Sequence, residues 1–283
     1  KAYSGIFLTF SPILNQITMS LHTIHFILIF FSSIVAAPLL NAQHVHFNDI
    51  RLEIELLANP LINTNGDSYI QLDEAAAIKK LDLSMQAIKD LKGIESFVNL
   101  ESLDCSHNLL SSIDLSANKH LRFVDLSHNQ LTHLGWNHEA VIHTLYCAHN
   151  QIKELSIDHL NALKKIDCSF NQLKQLDLHR HKQLMAIDCS HNKLRYLNVA
   201  NGNNINFYEF DATVNLNLTC IQVDDEAWST ANWTSIDPQT SFSENCDYPS
   251  DCFTSSLTEL TTSKNLIQIL DLMGRETSFK PNT

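Results

Sequence analysis

One hexapeptide, returning at a fixed interval, governs what this chain can fold into. LDCSHN at 103–108, VDLSHN at 124–129, LYCAHN at 145–150, IDCSFN at 166–171 and IDCSHN at 187–192 succeed one another every 21 residues. Degenerate copies extend the series to LDLSMQ at 81–86 and FDATVN at 210–215. Self-similarity at such a period makes each copy one structural unit that stacks on the next. Side chains alternate along an extended segment, so Leu103 and Cys105 face inward while Ser102, Asp104 and Ser106 face out.

A single copy cannot bury its Leu side alone; stacking buries it continuously. Seven copies at a strand spacing of ~4.8 Å give a parallel solenoid on the order of 30 Å long. The Asn at 108, 129, 150, 171, 192 and 215 turns the chain out of each strand. Its amide is suited to backbone groups that the bend leaves unpaired. Pro is absent between Pro60 and Pro238, as stacked short strands require. A second apolar pair recurs (Ile113/Leu115, Leu134/Trp136, Leu155/Ile157, Leu176/Leu178, Leu197/Val199) and is expected to line the opposite wall as extended or 3₁₀ segments.

Composition narrows the function. The 40 Leu and 26 Asn supply nearly a quarter of 283 residues, whereas Gly numbers only 6, too few for phosphate-cradling loops. The 19 basic against 31 acidic residues leave a net charge of −12, the wrong sign for nucleic acid.

Identical slots of successive copies become columns. Cys105, Cys147, Cys168 and Cys189, with Leu126 in one copy, read as buried thiols acting as small hydrophobes, against metal or disulfide bonding between copies. His107, His128, His149 and His191, with Phe170 interposed, read as surface turn residues. The Ser, His and Asp of the copies are repeat features rather than a triad, because catalysis needs one unique constellation. His138, Glu139 and His143 follow H-E-x₃-H, which does not place two His on one helical face for zinc. No catalytic residue is assigned, and the chain is not expected to be an enzyme.

Asp82, Asp104, Asp125, Asp167, Asp188 and Asp211 form an outward column interrupted by Tyr146. Beside it run Ser102, Phe123, Thr144, Lys165 and Ala186. Two readings fit: a solvated acidic face, or a ligand-binding face with Phe123 and Tyr146 as aromatic anchors.

The flanks carry other signals. Residues 26–37 are an unbroken run of apolar or small residues that span about 18 Å as helix, short of a ~30 Å bilayer core. With Met19 upstream and Ala42 downstream, the run resembles a secretory signal peptide cleaved after Ala42. No transmembrane span is then expected in the mature chain. Asn48 or Asp49 caps an expected helix through Ala58, with Ile50, Ile54 and Leu57 on one face. The loop NTNGDSYIQLDE at 63–74 resembles an EF-hand or dockerin calcium loop and precedes a helical AAAIKK. That template makes Asn63, Asn65, Asp67, Tyr69 (through its carbonyl), Gln71 (through water) and Glu74 the ligands. Only Asp67 and Glu74 bring charge, so calcium binding would be weak; a metal-free cap over the first copy is the other reading. After the repeats, Trp228, Trp233 and Phe242 are placed to plug the last copy. Cys220 and Cys246 are candidates for a disulfide, with Cys246–Cys252 left open.

The resulting organisation is upstream sequence and signal peptide over 1–42, a helix–loop–helix cap over 43–80, repeats over 81–217, a C-terminal cap over 218–246, and a tail over 247–283. The array resembles secreted bacterial leucine-rich repeat proteins of the internalin kind. The tail LIQILDLMGRETSFKPNT resembles the start of a type IX secretion sorting domain, with a strand over 265–275. The resemblance implies a leucine-rich repeat solenoid with short parallel strands, an extended or 3₁₀ convex side, a helical N-terminal cap and a small C-terminal β segment. It also implies export to the medium or cell surface and contact with a protein or surface glycan, with no required cofactor. A monomer is the expected state. The alternative is an accessory region of a larger secreted enzyme or a surface scaffold.

Overall fold

The computed structural model describes residues 44–137 and 139–249. The signal-like run, His138, Cys252 and the tail strand lie outside them. Among the described residues the strands are β1 (Lys80–Asp82), β2 (Ser102–Asp104), β3 (Phe123–Asp125), β4 (Thr144–Tyr146), β5 (Lys165–Asp167), β6 (Gln175–Asp177), β7 (Ala186–Asp188), β8 (Tyr196–Asn198), β9 (Glu209–Asp211), β10 (Cys220–Gln222) and β11 (Ser241–Ser243). One parallel sheet runs β1-β2-β3-β4-β5-β7-β9. Its register aligns Leu81, Leu103, Val124, Leu145, Ile166, Ile187 and Phe210, the inward position of each copy. This is the leucine-rich repeat solenoid that the periodicity implies.

The opposite wall is extended, as expected, and in its later copies the extended segments pair. From Gln175 onward it is a second parallel sheet, β11-β10-β8-β6, whereas in earlier copies a lone bridge joins Asp114 and Gly135. The apolar pairs of both walls meet inside: Leu103, Leu115, Leu126, Leu145 and Leu178 are all at most 2% exposed. Each such side chain contributes roughly 2 kcal/mol of burial.

Both ends are closed. Helix α1 (Ile50–Ala58) is capped by Asp49, whose carboxylate accepts from the Arg51 N–H at 2.9 Å and from the Lys89 N–H of the first coil at 2.6 Å. The expected apolar face of α1 is corrected. Leu52 and Leu56 are buried, while Ile50 and Ile54 are 64% and 55% exposed and Leu57 only packs on the core margin. Helix α2 (Leu72–Ala77) stops before the expected Lys80, because β1 begins there. At the other end α3 (Glu226–Asn232) is capped by Asp225. Trp233 then stacks on Phe210 of β9, the final strand of the first sheet, at 4.1 Å and 3°, with Phe242 of β11 at its edge. Trp228 abuts Trp233 edge-on. Cys220 and Cys246 form a disulfide with Cα atoms 5.8 Å apart, tying β10 to the segment after β11. Among the described residues no helix is long and apolar enough to cross a membrane.

Candidate functional site

The outward face of the first sheet brings the acidic column and its neighbouring row together. Each Asp ends its strand and turns one carboxylate oxygen back onto the chain. Asp104, Asp125, Asp167, Asp188 and Asp211 accept the N–H two residues on at 2.8–3.0 Å. The column is therefore first a set of turn caps. Burial pushes the Asp125 and Asp188 carboxyls above the ordinary range; Ser127 and Ser190 pull down, and the adjacent Asp charges push up again.

Phe123 and Tyr146 sit on neighbouring strands with ring centroids 5.8 Å apart at 73°, an edge-to-face pair. Both are half-buried. Lys165 extends the cluster, its Nζ 5.8 Å from the Tyr146 ring centroid. Ser102 and Thr144 are half-exposed in the same row. Ala186 does not belong to the accessible face: it is 0% exposed. Lys165 and Glu209 flank it on β5 and β9 and pair at 2.5 Å, so two long side chains close over one methyl group.

A further row flanks these two. Two residues before the inward positions stand Lys79, Glu101, Arg122, His143, Lys164, Met185 and Tyr208. Their backbones run rung to rung, with the Arg122 N–H on the Glu101 carbonyl, His143 on Arg122 and Lys164 on His143, each at 2.8 Å. Burial lowers the His143 pKa, and Lys164 and Arg122 on either side lower it further. The row keeps a constant offset from the repeat, but its residue types change from copy to copy, so no recurring letter marks it.

The histidine column is a continuous stack. His107, His128, His149, Phe170 and His191 follow one another with ring centroids 3.9–4.1 Å apart and planes within 12°. All five backbones are left-handed, φ 52° to 57°. Non-glycine residues pay strain there, and ring stacking offsets it. An open groove of about 600 Å³ lies along the column's end, against Phe170, His191, Lys193 and Leu216. Cys105, Cys147, Cys168 and Cys189 are buried and unbridged. Among the described residues no group of three or more His, Cys, Asp or Glu is arranged to hold a metal ion.

In the cap loop the expected calcium ligands are engaged with one another. Glu74 Oε1 accepts from the Thr64 N–H and hydroxyl, both at 2.8 Å, and from the Asn65 N–H at 3.3 Å; Oε2 accepts from the Gln71 N–H at 3.1 Å. Burial pushes the Glu74 carboxyl up, yet these donors hold it below its ordinary value. Asp67 Oδ2 accepts from the amides of Asn65 and Gln71 at 3.1 and 2.8 Å. Asn63 donates to the Leu57 and Asp67 carbonyls. Tyr69 rests against His44, ring centroids 4.7 Å apart. A bidentate Glu74 would have to release its present donors before it could ligate.

No family model matches the chain, and no curated protein is similar to it. Among solved structures it is similar to the functional domain of InlJ from Listeria monocytogenes, described as including a cysteine ladder (19% identity, 64% of this chain and 53% of that one, TM-score 0.37). It is also similar to internalin C2 from the same organism (17% identity, 70% and 94%, TM-score 0.44). A third likeness is to an LRIM1/APL1C complex (21% identity, 61% and 38%, TM-score 0.41). The chain thus spans about half of the InlJ domain, and the likeness is one of repeat architecture.

Proposed function

We propose that this chain is a non-catalytic recognition module that holds a protein partner against its first sheet. The observation that carries the reading is the Phe123–Tyr146 edge-to-face pair, kept half-exposed at the middle of an otherwise polar face. Aromatic anchors at the centre of a rigid surface supply contact area at little entropic cost. The other aromatic ring in that sheet's register, Phe210, is turned inward, and Tyr208 is exposed just ahead of β9 near the end of the array. The chemistry-bearing columns argue against catalysis: the thiols are sealed in the core, the imidazoles are stacked on one another, and the carboxylates cap turns. Export is part of the proposal, supported by the Cys220–Cys246 disulfide, since such bonds persist in oxidising compartments.

The test is capture of cell-surface and extracellular proteins by the wild-type chain and by a Phe123→Ala, Tyr146→Ala double variant. A partner held by wild type and lost, by tenfold or more, from a variant that keeps its far-ultraviolet spectrum supports the reading. Equal capture by both removes this face from the interface.

A further inference from the structure

The recognition face is polarised across its strands. On one edge Arg122, His143 and Lys164 occupy consecutive rungs. On the other, Asp125 and Asp167 stand three residues further along the passes of Arg122 and Lys164, about 10 Å away at strand rise, and Tyr146 holds that place on the pass of His143. Phe123 lies between the two edges, and Tyr146 breaks the Asp edge on the next rung.

The basic edge is neutralised from within only at its first rung, where Glu101 feels the Arg122 charge while its ion pair goes to Lys79. The ion pairs of this face join Lys79 to Glu101 at 2.9 Å and Lys165 to Glu209 at 2.5 Å. Among the described residues neither Arg122 nor Lys164 forms one, and both are exposed. Two unpaired cations at either side of a half-buried imidazole repel one another. In a chain of net charge −12 nothing in the general charge balance calls for such a row.

We infer that the partner presents an acidic protein segment, with Asp or Glu side chains in line, to the Arg122–His143–Lys164 row while an apolar ridge of the same segment covers Phe123 and Tyr146. This rests on the recognition reading above and names the chemistry of its partner. The row supplies two point charges and an imidazole N–H, with rungs near 4.8 Å apart. Carboxylates three or four residues apart on one helical face, about 5–6 Å from each other, come near that spacing. Electrostatic complementarity of this kind fixes the orientation of docking and speeds the encounter. A uniform polyanion such as a sulfated polysaccharide suits the face less well, because the Asp edge repels it. A partner with an acidic stripe, an apolar stripe and a neutral or basic stripe satisfies all three rows.

The experiment is selection of displayed 15-residue random peptides on the immobilised full chain. The recovered peptides and a heparin-type polysaccharide are then titrated against wild type, an Arg122→Ser, Lys164→Ser variant, and the Phe123→Ala, Tyr146→Ala variant. All four substitutions are at surface positions, and circular dichroism checks the fold of each variant. The expected result is enrichment of Asp and Glu with an aromatic or aliphatic residue nearby. Affinity should fall about tenfold in the Arg122/Lys164 variant, and the loss should shrink as salt rises. Peptides without acidic enrichment, or bound undiminished by that variant, overturn the inference. If they are still lost with Phe123 and Tyr146, the recognition face stands and only its acidic partner falls. Heparin bound more tightly than any recovered peptide, and released by the Arg122/Lys164 change, assigns the row to polysaccharide and overturns it too. Recovery of no binding peptide also counts against it.

Discussion

Lys165 and Glu209 are joined at 2.5 Å although a whole strand runs between them. The strand between is β7, and at the bridged position it carries Ala186, whose methyl is small enough to pass beneath. The pair is partly exposed, so its own worth is small, about 0.5 kcal/mol. Its value lies in holding Lys165 beside Tyr146. Ala186→Leu should lift the bridge and overfill the site. We expect a stability loss of about 1–3 kcal/mol by urea unfolding. A double-mutant cycle on Lys165→Ala and Glu209→Ala should show coupling in the wild-type background and none beside Leu at 186. Persistent coupling there would mean that the methyl is not what permits the bridge.

The asparagine column is the main polar support of the core. Asn150 accepts the Leu131 N–H at 2.9 Å and donates to the carbonyls of Leu126, Cys147 and Ala148 at 2.9–3.1 Å. It therefore ties two coils together at a buried turn. Asn150→Ala strands one donor and three acceptors away from water. A loss of about 2–4 kcal/mol is expected, with the transition broadened as the array splits into independently melting halves. A Tm shift of less than 2 °C would contradict this account.

The inward Leu register, the Asn turns and the two end plugs could be read from one chain because a fixed period fixes neighbours. The failures have definite physical causes. Helix α1 carries two apolar faces, and spacing alone favoured Ile50, Ile54 and Leu57, whereas packing selects Leu52 and Leu56. Ala186 obeys the outward alternation, but its burial comes from long side chains on other coils. The second sheet begins only at Gln175, although the apolar pairs look alike throughout. In an earlier coil Gly135 lies so close to the Ile113 carbonyl that an added Cβ would stand 3.1 Å from it. The left-handed His positions were invisible too, since a positive φ is ordinarily announced by Gly or Asn.

Glu74 separates the two readings of the cap loop. Its carboxylate accepts four hydrogen bonds from the loop itself, so the cap is stabilised without a metal. Glu74→Ala should then cost about 2–3 kcal/mol in calcium-free buffer. Calorimetry with calcium up to several mM should register no binding to wild type. A calcium-dependent rise in Tm that disappears in Glu74→Ala would assign the loop to the metal instead.

Acidification should weaken the fold before the carboxylates titrate. His128 is stacked between His107 and His149. Burial lowers its pKa below 6.5, and its two imidazole neighbours lower it further, against the opposing pull of Asp125 and Asp167. Burial lowers His143 and His181 as well. A histidine whose pKa is lower in the folded chain takes its proton more readily when unfolded. Unfolding is therefore favoured as pH falls through the ordinary imidazole range. The raised carboxyls of Asp125 and Asp188 act in the opposite sense and in a lower window. They bind protons in the folded chain above the unfolded value of 3.8, and so favour folding as pH drops toward it. The urea midpoint should accordingly fall between pH 7.5 and 5.5. His128→Phe, which copies the residue already stacked at 170 with φ 52°, should flatten that fall while leaving the midpoint at pH 7.5 nearly unchanged. A wild-type midpoint that stays level across this interval would remove the stacked column as a source of acid sensitivity.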